Sequence, residues 1–139
     1  MENYIFDRDI KVFCVAAKSF PAGVRESHET LHSAVPYSRE RKYFGISWPG
    51  KNGEIIYNAA ASELRPGELD HLGLKTFIIP RGEYLSATIL NYMQNIPAIG
   101  ETFRDLAADP RVNPNAFCLE WYLDNVNCKC MVKIAANPG

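Results

Sequence analysis

FCLEWYL, residues 117–123, followed after a four-residue turn by CKCMVKIA, residues 128–135, is the stretch on which the fold reading turns. Each run is short and apolar, and Asp124 to Asn127 between them reads as a turn, so the pair is a hairpin. A helical segment stands just before it: residues 97–108 place Ile99, Phe103, Leu106 and Ala107 at helical spacing and end before Pro110. Upstream lie two more strand-like runs, LKTFIIP at 74–80 and YLSATIL at 84–90, joined by an Arg81-Gly82 turn.

The first half of the chain repeats the order strand, helix, two strands, the second copy following the short extra strand at 74–80. IKVFCVAA (residues 10–17) is β-branched and apolar, and reads as a buried strand. Pro21 then opens a helical segment with Val24, Leu31 and Val35 roughly on one side, closed by Pro36. YFGISW (43–48) and EIIYNAAASE (54–63) flank PGKNG, where Gly and Asn tolerate the positive φ of a tight turn. Residues 64–73, with Pro66, Gly67 and Gly73, form a polar link. The expectation is therefore one α+β domain over residues 1–139, built of two β-α-β-β halves (about 8–63 and 74–135). Its antiparallel sheet would carry both helices on one face and leave the other face curved and open, with room for a ligand. Identity between the halves is negligible; only the order of elements repeats.

Composition narrows the function. The chain has 139 residues, enough for one unaided core, and 15 basic residues against 16 acidic give a net charge of −1. No basic face of the kind that releases counterions from a nucleic acid is expected, and no run is long enough to span a membrane. Residues 1–9 alternate charge and aromatic residues without a leader-like apolar segment, so a cytoplasmic protein is expected. Cys14, Cys118, Cys128 and Cys130 then read as reduced core thiols; the C-x-C spacing of the last two is not that of common zinc sites.

Alternation in FCLEWYL puts Phe117, Leu119, Trp121 and Leu123 on one face, and Cys118, Glu120 and Tyr122 on the other. The large apolar set is expected under the helices, with Glu120 and Tyr122 on the opposite, open face. A carboxylate in an apolar strand is expensive to desolvate unless it is paired, hydrogen-bonded or neutralised. It can be a solvated residue paired with Lys129 or Lys133, or an acid that meets a cationic or hydrogen-bonding ligand. Aromatic walls for such a ligand are available in Phe44, Trp48, Tyr57, Tyr84 and Tyr122, since ring faces attract cations and planar groups.

The pattern resembles the GyrI-like small-molecule-binding family, which also occurs as the effector-binding domain of AraC-type and MerR-type multidrug regulators. The matching features are Tyr57 with Ala59 to Ala61 after it, the stretch Ile78, Ile79, Pro80, Gly82 and Tyr84, the second helix, Glu120 with Tyr122, and the closing strand Met131 to Ile134. The resemblance implies that the two β-α-β-β halves are related by a pseudo-twofold axis with a ligand groove between them, Glu120 at its floor contacting ligands that are often lipophilic cations, and Tyr122 among its walls. No helix-turn-helix segment is present in this sequence, so a stand-alone module is expected rather than a DNA-bound regulator. Relatives that stand alone resemble hydrolases of reactive alkylating compounds, sequester drugs, or bind a protein partner such as gyrase; a homodimer is a further expectation.

His28-Glu29-Thr30-Leu31-His32 spells H-E-x-x-H, in which two histidines one turn apart bind zinc and the Glu activates a metal-bound water. Arg25, Glu26 and Ser27 make the approach polar, His71 is the one other histidine, and the helix is expected on the back of the sheet, away from the groove. The sequence thus favours a binding module for small lipophilic or cationic molecules, without a cofactor, in a groove walled by Trp48, Tyr57 and Tyr122. A small-molecule hydrolase using Glu120 with Tyr122 is the alternative, and a zinc hydrolase through His28 and His32 the third.

Overall fold

The computed structural model describes residues 1–113 and 115–135; residue 114 and residues 136–139 of the expected domain lie outside it. The elements run β1 (Glu2–Phe6), β2 (Ile10–Ala16), α1 (Val24–Ala34), β3 (Tyr43–Pro49), β4 (Ile55–Ser62), β5 (Lys75–Ile79), β6 (Gly82–Ile89), α2 (Pro97–Ala107), β7 (Cys118–Tyr122) and β8 (Cys128–Lys133). The expected strands and helices are present with ends shifted by a residue or a few. The β3–β4 turn works as its residues suggest, with Gly53 at φ 81° and the Gly50 amide donating to the Glu54 carbonyl at 2.7 Å.

All eight strands join one antiparallel sheet in the order β1-β6-β8-β7-β3-β4-β2-β5. The order reads the same from either end once the two halves are exchanged. The sequence pattern shows the extra first strand of the second half, β5, but not that of the first half, β1, and the two are swapped: β1 of the first half pairs with β6, while β5 of the second pairs with β2. The pseudo-twofold relation centres on the β3–β7 seam, whose middle pair is Gly45 and Glu120.

The sheet curls strongly. Tyr4 and Phe6 of β1 reach Trp121 of β7, three strands away, at ring distances of 5.6 and 5.7 Å, and Phe77 of β5 meets Phe117 at 5.3 Å. Inside the curl Phe6, Phe44, Ile46, Ile79, Tyr84, Leu119 and Met131 form a buried core with Trp48, Phe117 and Trp121 packed on it. The helices cover the other face. α1 packs through Leu31 with Phe13, Ala59 and Ala61, and α2 through Leu106 with Leu85, Cys128 and Val132.

This inverts one expectation. Phe117, Leu119 and Trp121 lie inside the curl, not under the helices; Glu120 and Tyr122 are on the helix-bearing face instead, and the helix-free face is a filled core rather than open. Alternation separates two faces but does not say which one the helices cover. A curled sheet encloses enough volume on its concave side to bury large side chains without any helix. Among the described residues no helix is long and apolar enough to cross a membrane, and all four cysteines are free thiols.

Candidate functional site

α1 rests on β2 and β4, and α2 on β6 and β8, which leaves the central strands β3 and β7 between them. Across this floor, in register, run Ala87, Cys130, Glu120, Gly45, Ala59 and Val15. Small side chains thus flank the single carboxylate, so the space above it is left to groups arriving from neighbouring rows and from the helices. Glu120 is 8% exposed. Burial raises its pKa above the usual carboxylate value, opposed by one hydrogen bond from Tyr122. None of the ion pairs among the described residues includes it.

Four side chains from three elements form a chain of short hydrogen bonds. The Tyr122 hydroxyl donates to Glu120 Oε1 at 2.7 Å, the Tyr57 and Tyr122 hydroxyls are 2.9 Å apart, and His28 Nε2 is 2.7 Å from the Tyr57 hydroxyl. Tyr122 follows Glu120 by two residues on β7 and so shares its face. Tyr57 comes from β4, its hydroxyl reaching over Gly45, where a Cβ would collide with it. His28 hangs from α1. Burial raises both phenols, Tyr122 well above the ordinary value, so they remain O–H donors. Burial, with the nearby His32, lowers His28 to about 4, which keeps the imidazole neutral near pH 7.

Around this chain stand more rings. Tyr92, in the loop before α2, lies 5.5 Å from Tyr122, and Phe20, in the corresponding loop before α1, lies 6.0 Å from Tyr57 with 42% of its surface exposed. A separate surface concavity of about 250 Å³ lies beside β2 and α1, lined by Val15, Lys18, Glu26, Ser27 and Thr30 among others, and does not open over Glu120.

Of the six residues singled out for a ligand, the structure brings together Glu120, Tyr122 and Tyr57. Phe44, Trp48 and Tyr84 sit on the opposite face, inside the curl, because strand parity sends them there: Tyr57 pairs with Ser47, so it shares the face of Ser47 and Gly45, not that of Phe44 or Trp48. The pairing of Glu120 with Lys129 or Lys133 is overturned for the same reason, since Lys129 lies 4.2 Å over the ring of Tyr4 and Lys133 5.6 Å from that of Tyr84. His28 moves the other way. It was expected behind the sheet and instead faces the carboxylate's hydrogen-bond partners, while His32 packs on Tyr43 at 5.0 Å. Among the described residues no three His, Cys, Asp or Glu side chains gather to hold a metal.

Sequence reasoning missed Tyr92, Phe20 and Gly45. A glycine within the apolar run YFGISW is itself a signal, because Gly inside a strand marks a close approach; nothing comparable marks Tyr92.

No protein-family model matches the chain, and no curated protein matches its sequence. Its fold is shared. An integron cassette protein from the mobile metagenome of Vibrio cholerae superposes with a TM-score of 0.71 at 13% identity, over 96% of this chain and 95% of that one. The protein SAV2435, solved bound to tetraphenylphosphonium, gives 0.63 at 10% identity over 98% and 95%. A hydrolase from Listeria innocua gives 0.54 at 9% identity over 96% and 90%. At such identities the likeness is one of fold, and the fold alone carries both a ligand complex and a hydrolase.

Proposed function

We propose that this chain is a GyrI-like cytoplasmic module that binds lipophilic organic cations between α1 and α2, with Glu120 as the counter-charge. The observation that carries this reading is a buried carboxylate whose partner among the described residues is a neutral phenol rather than a cation. Such a group is stabilised by a positive ligand that replaces its lost hydration. Tyr122, Tyr57, Tyr92 and Phe20 supply ring faces for the apolar part of that ligand. Tetraphenylphosphonium in SAV2435 is a molecule of this class on the same fold. Because Glu120 is 8% exposed, a ligand of that size reaches it when Tyr122 or His28 turns aside.

The test is calorimetric titration of tetraphenylphosphonium against wild type and Glu120→Gln. The variant should bind about 10- to 100-fold more weakly. Wild-type affinity should also climb with pH, since the raised pKa leaves Glu120 partly protonated at low pH and only the carboxylate attracts a cation. Glu120→Gln should show no such climb. Equal affinities in the two proteins at neutral pH would remove Glu120 from the site.

A second reading keeps the same carboxylate as a general acid or base with Tyr122 as its hydrogen-bonding partner, and its support is the raised pKa, which brings the group nearer to neutral pH. Hydrolysis of an electrophilic ester by wild type but not by Glu120→Gln would favour turnover over simple binding.

A further inference from the structure

Each hydroxyl in the chain His28–Tyr57–Tyr122–Glu120 has one hydrogen to give. With a carboxylate at one end, Tyr122 must donate to Glu120. The Tyr122 oxygen then accepts from Tyr57 across 2.9 Å, because Tyr122 has no second hydrogen. The Tyr57 hydroxyl, its hydrogen used in turn, can only accept at 2.7 Å from His28 Nε2, which must carry the proton. Every hydrogen in the row points toward Glu120. A proton on Oε1 would reverse the row and require His28 in its other tautomer, with a bare Nε2.

We propose that His28 is a positioning residue which, acting through Tyr57 and Tyr122 from helix α1, holds Glu120 as a carboxylate and leaves neither Tyr57 nor Tyr122 a hydroxyl hydrogen free for a ligand. The proposal rests on the cation-binding reading for its consequence but not for its geometry. These two phenols then offer a ligand beside Glu120 lone pairs and ring faces only, so that part of the site favours cations over anions and over neutral molecules that must accept a hydrogen bond. It also ties the ligand's counter-charge to the position of α1. The H-E-x-x-H motif thereby acquires a use in which its first histidine donates to a phenol and its second packs on Tyr43.

Two readouts test this. In the free protein, the Glu120 carboxyl is followed by carbon NMR through a pH titration, and His28 by nitrogen NMR. Wild type should show the Nε2–H tautomer, and His28→Phe, which keeps a flat ring, should move the Glu120 titration upward. Tyr57→Phe should move it by a similar amount, and the double variant no further, because either change cuts the same chain. In the bound state, tetraphenylphosphonium affinity should fall about 3- to 10-fold at neutral pH in each single variant and recover as the pH is raised. An unchanged Glu120 titration in His28→Phe overturns the proposal, as does additivity of the two variants, which would mean that His28 merely packs. Should the titration move while wild type binds no tetraphenylphosphonium, the hydrogen-bond chain stands and the ligand reading falls.

Discussion

Arg41→Leu should cost about 3–5 kcal/mol of folding stability, a drop in melting temperature of roughly 10 °C or more, measured by thermal and urea denaturation. Arg41 is 4% exposed, and its guanidinium ties three segments together. Nε donates to the Pro36 carbonyl just past α1 at 3.2 Å, Nη1 to the Ser62 carbonyl at the end of β4 at 2.8 Å, and Nη1 and Nη2 to the two Glu68 oxygens at 2.9 and 3.0 Å. Leucine fills part of the space but donates nothing, so two carbonyls and a carboxylate lose their partner at once. The fork also explains how the polar stretch 64–73 is held, with buried Leu69 beside Glu68. The Arg41 guanidinium, hydrogen-bonded to it, holds the Glu68 carboxyl down at about 2, well below the usual carboxylate range. A depressed acid adds stability above its unfolded pKa and loses that contribution as the pH falls through the folded value. The acid limb between about pH 4.5 and 2 should therefore be shallower in Arg41→Leu than in wild type. A loss under 1 kcal/mol would mean that the pair behaves like a surface ion pair.

Most of the element order is legible because apolar runs, helical spacing and Gly or Pro breaks are local signals. What the chain does not state locally is pairing. β1 was readable only as an alternation of charge and aromatic residues; Tyr4 and Phe6 fall on one face, but their partners are in β6, about eighty residues on. The swap of β1 and β5 is likewise invisible, since a strand's residues do not name the neighbour that completes their hydrogen bonds. The site shows the same division. Alternation correctly put Glu120 and Tyr122 on one face with Cys118, yet the sense of that face depended on the curl, and the curl depends on how eight strands meet. Phe44, Trp48 and Tyr84 have the composition of a ligand wall and the parity of a core. His28 stood out in the sequence for a reason unrelated to its place, because its partner Tyr57 is twenty-nine positions away on another element.

Gly45→Ala carries the argument from fold to site in a single methyl group. In an ordinary strand interior, alanine in place of glycine is stabilising by about 0.5–1 kcal/mol, because glycine loses more freedom on folding. Here the sign should reverse, to a loss of about 2–4 kcal/mol. A Cβ at residue 45 would lie 2.7 Å from Cζ and 2.9 Å from Cε2 of Tyr57, with the hydroxyl closer still. Tyr57 is 2% exposed and hemmed in by His28, Tyr122 and Phe20, so the ring has nowhere to retreat without breaking its hydrogen bonds. The site should fail together with the stability, because Gly45 pairs directly with Glu120 and the displaced hydroxyl is the middle of the chain that holds it. Urea denaturation of Gly45→Ala alone and in a Tyr57→Val background separates the causes. If the clash with Tyr57 is responsible, the cost vanishes or turns into a small gain once the ring is gone. If the cost persists in that background, the glycine is required by the β3 backbone itself, and the close approach of Tyr57 is incidental.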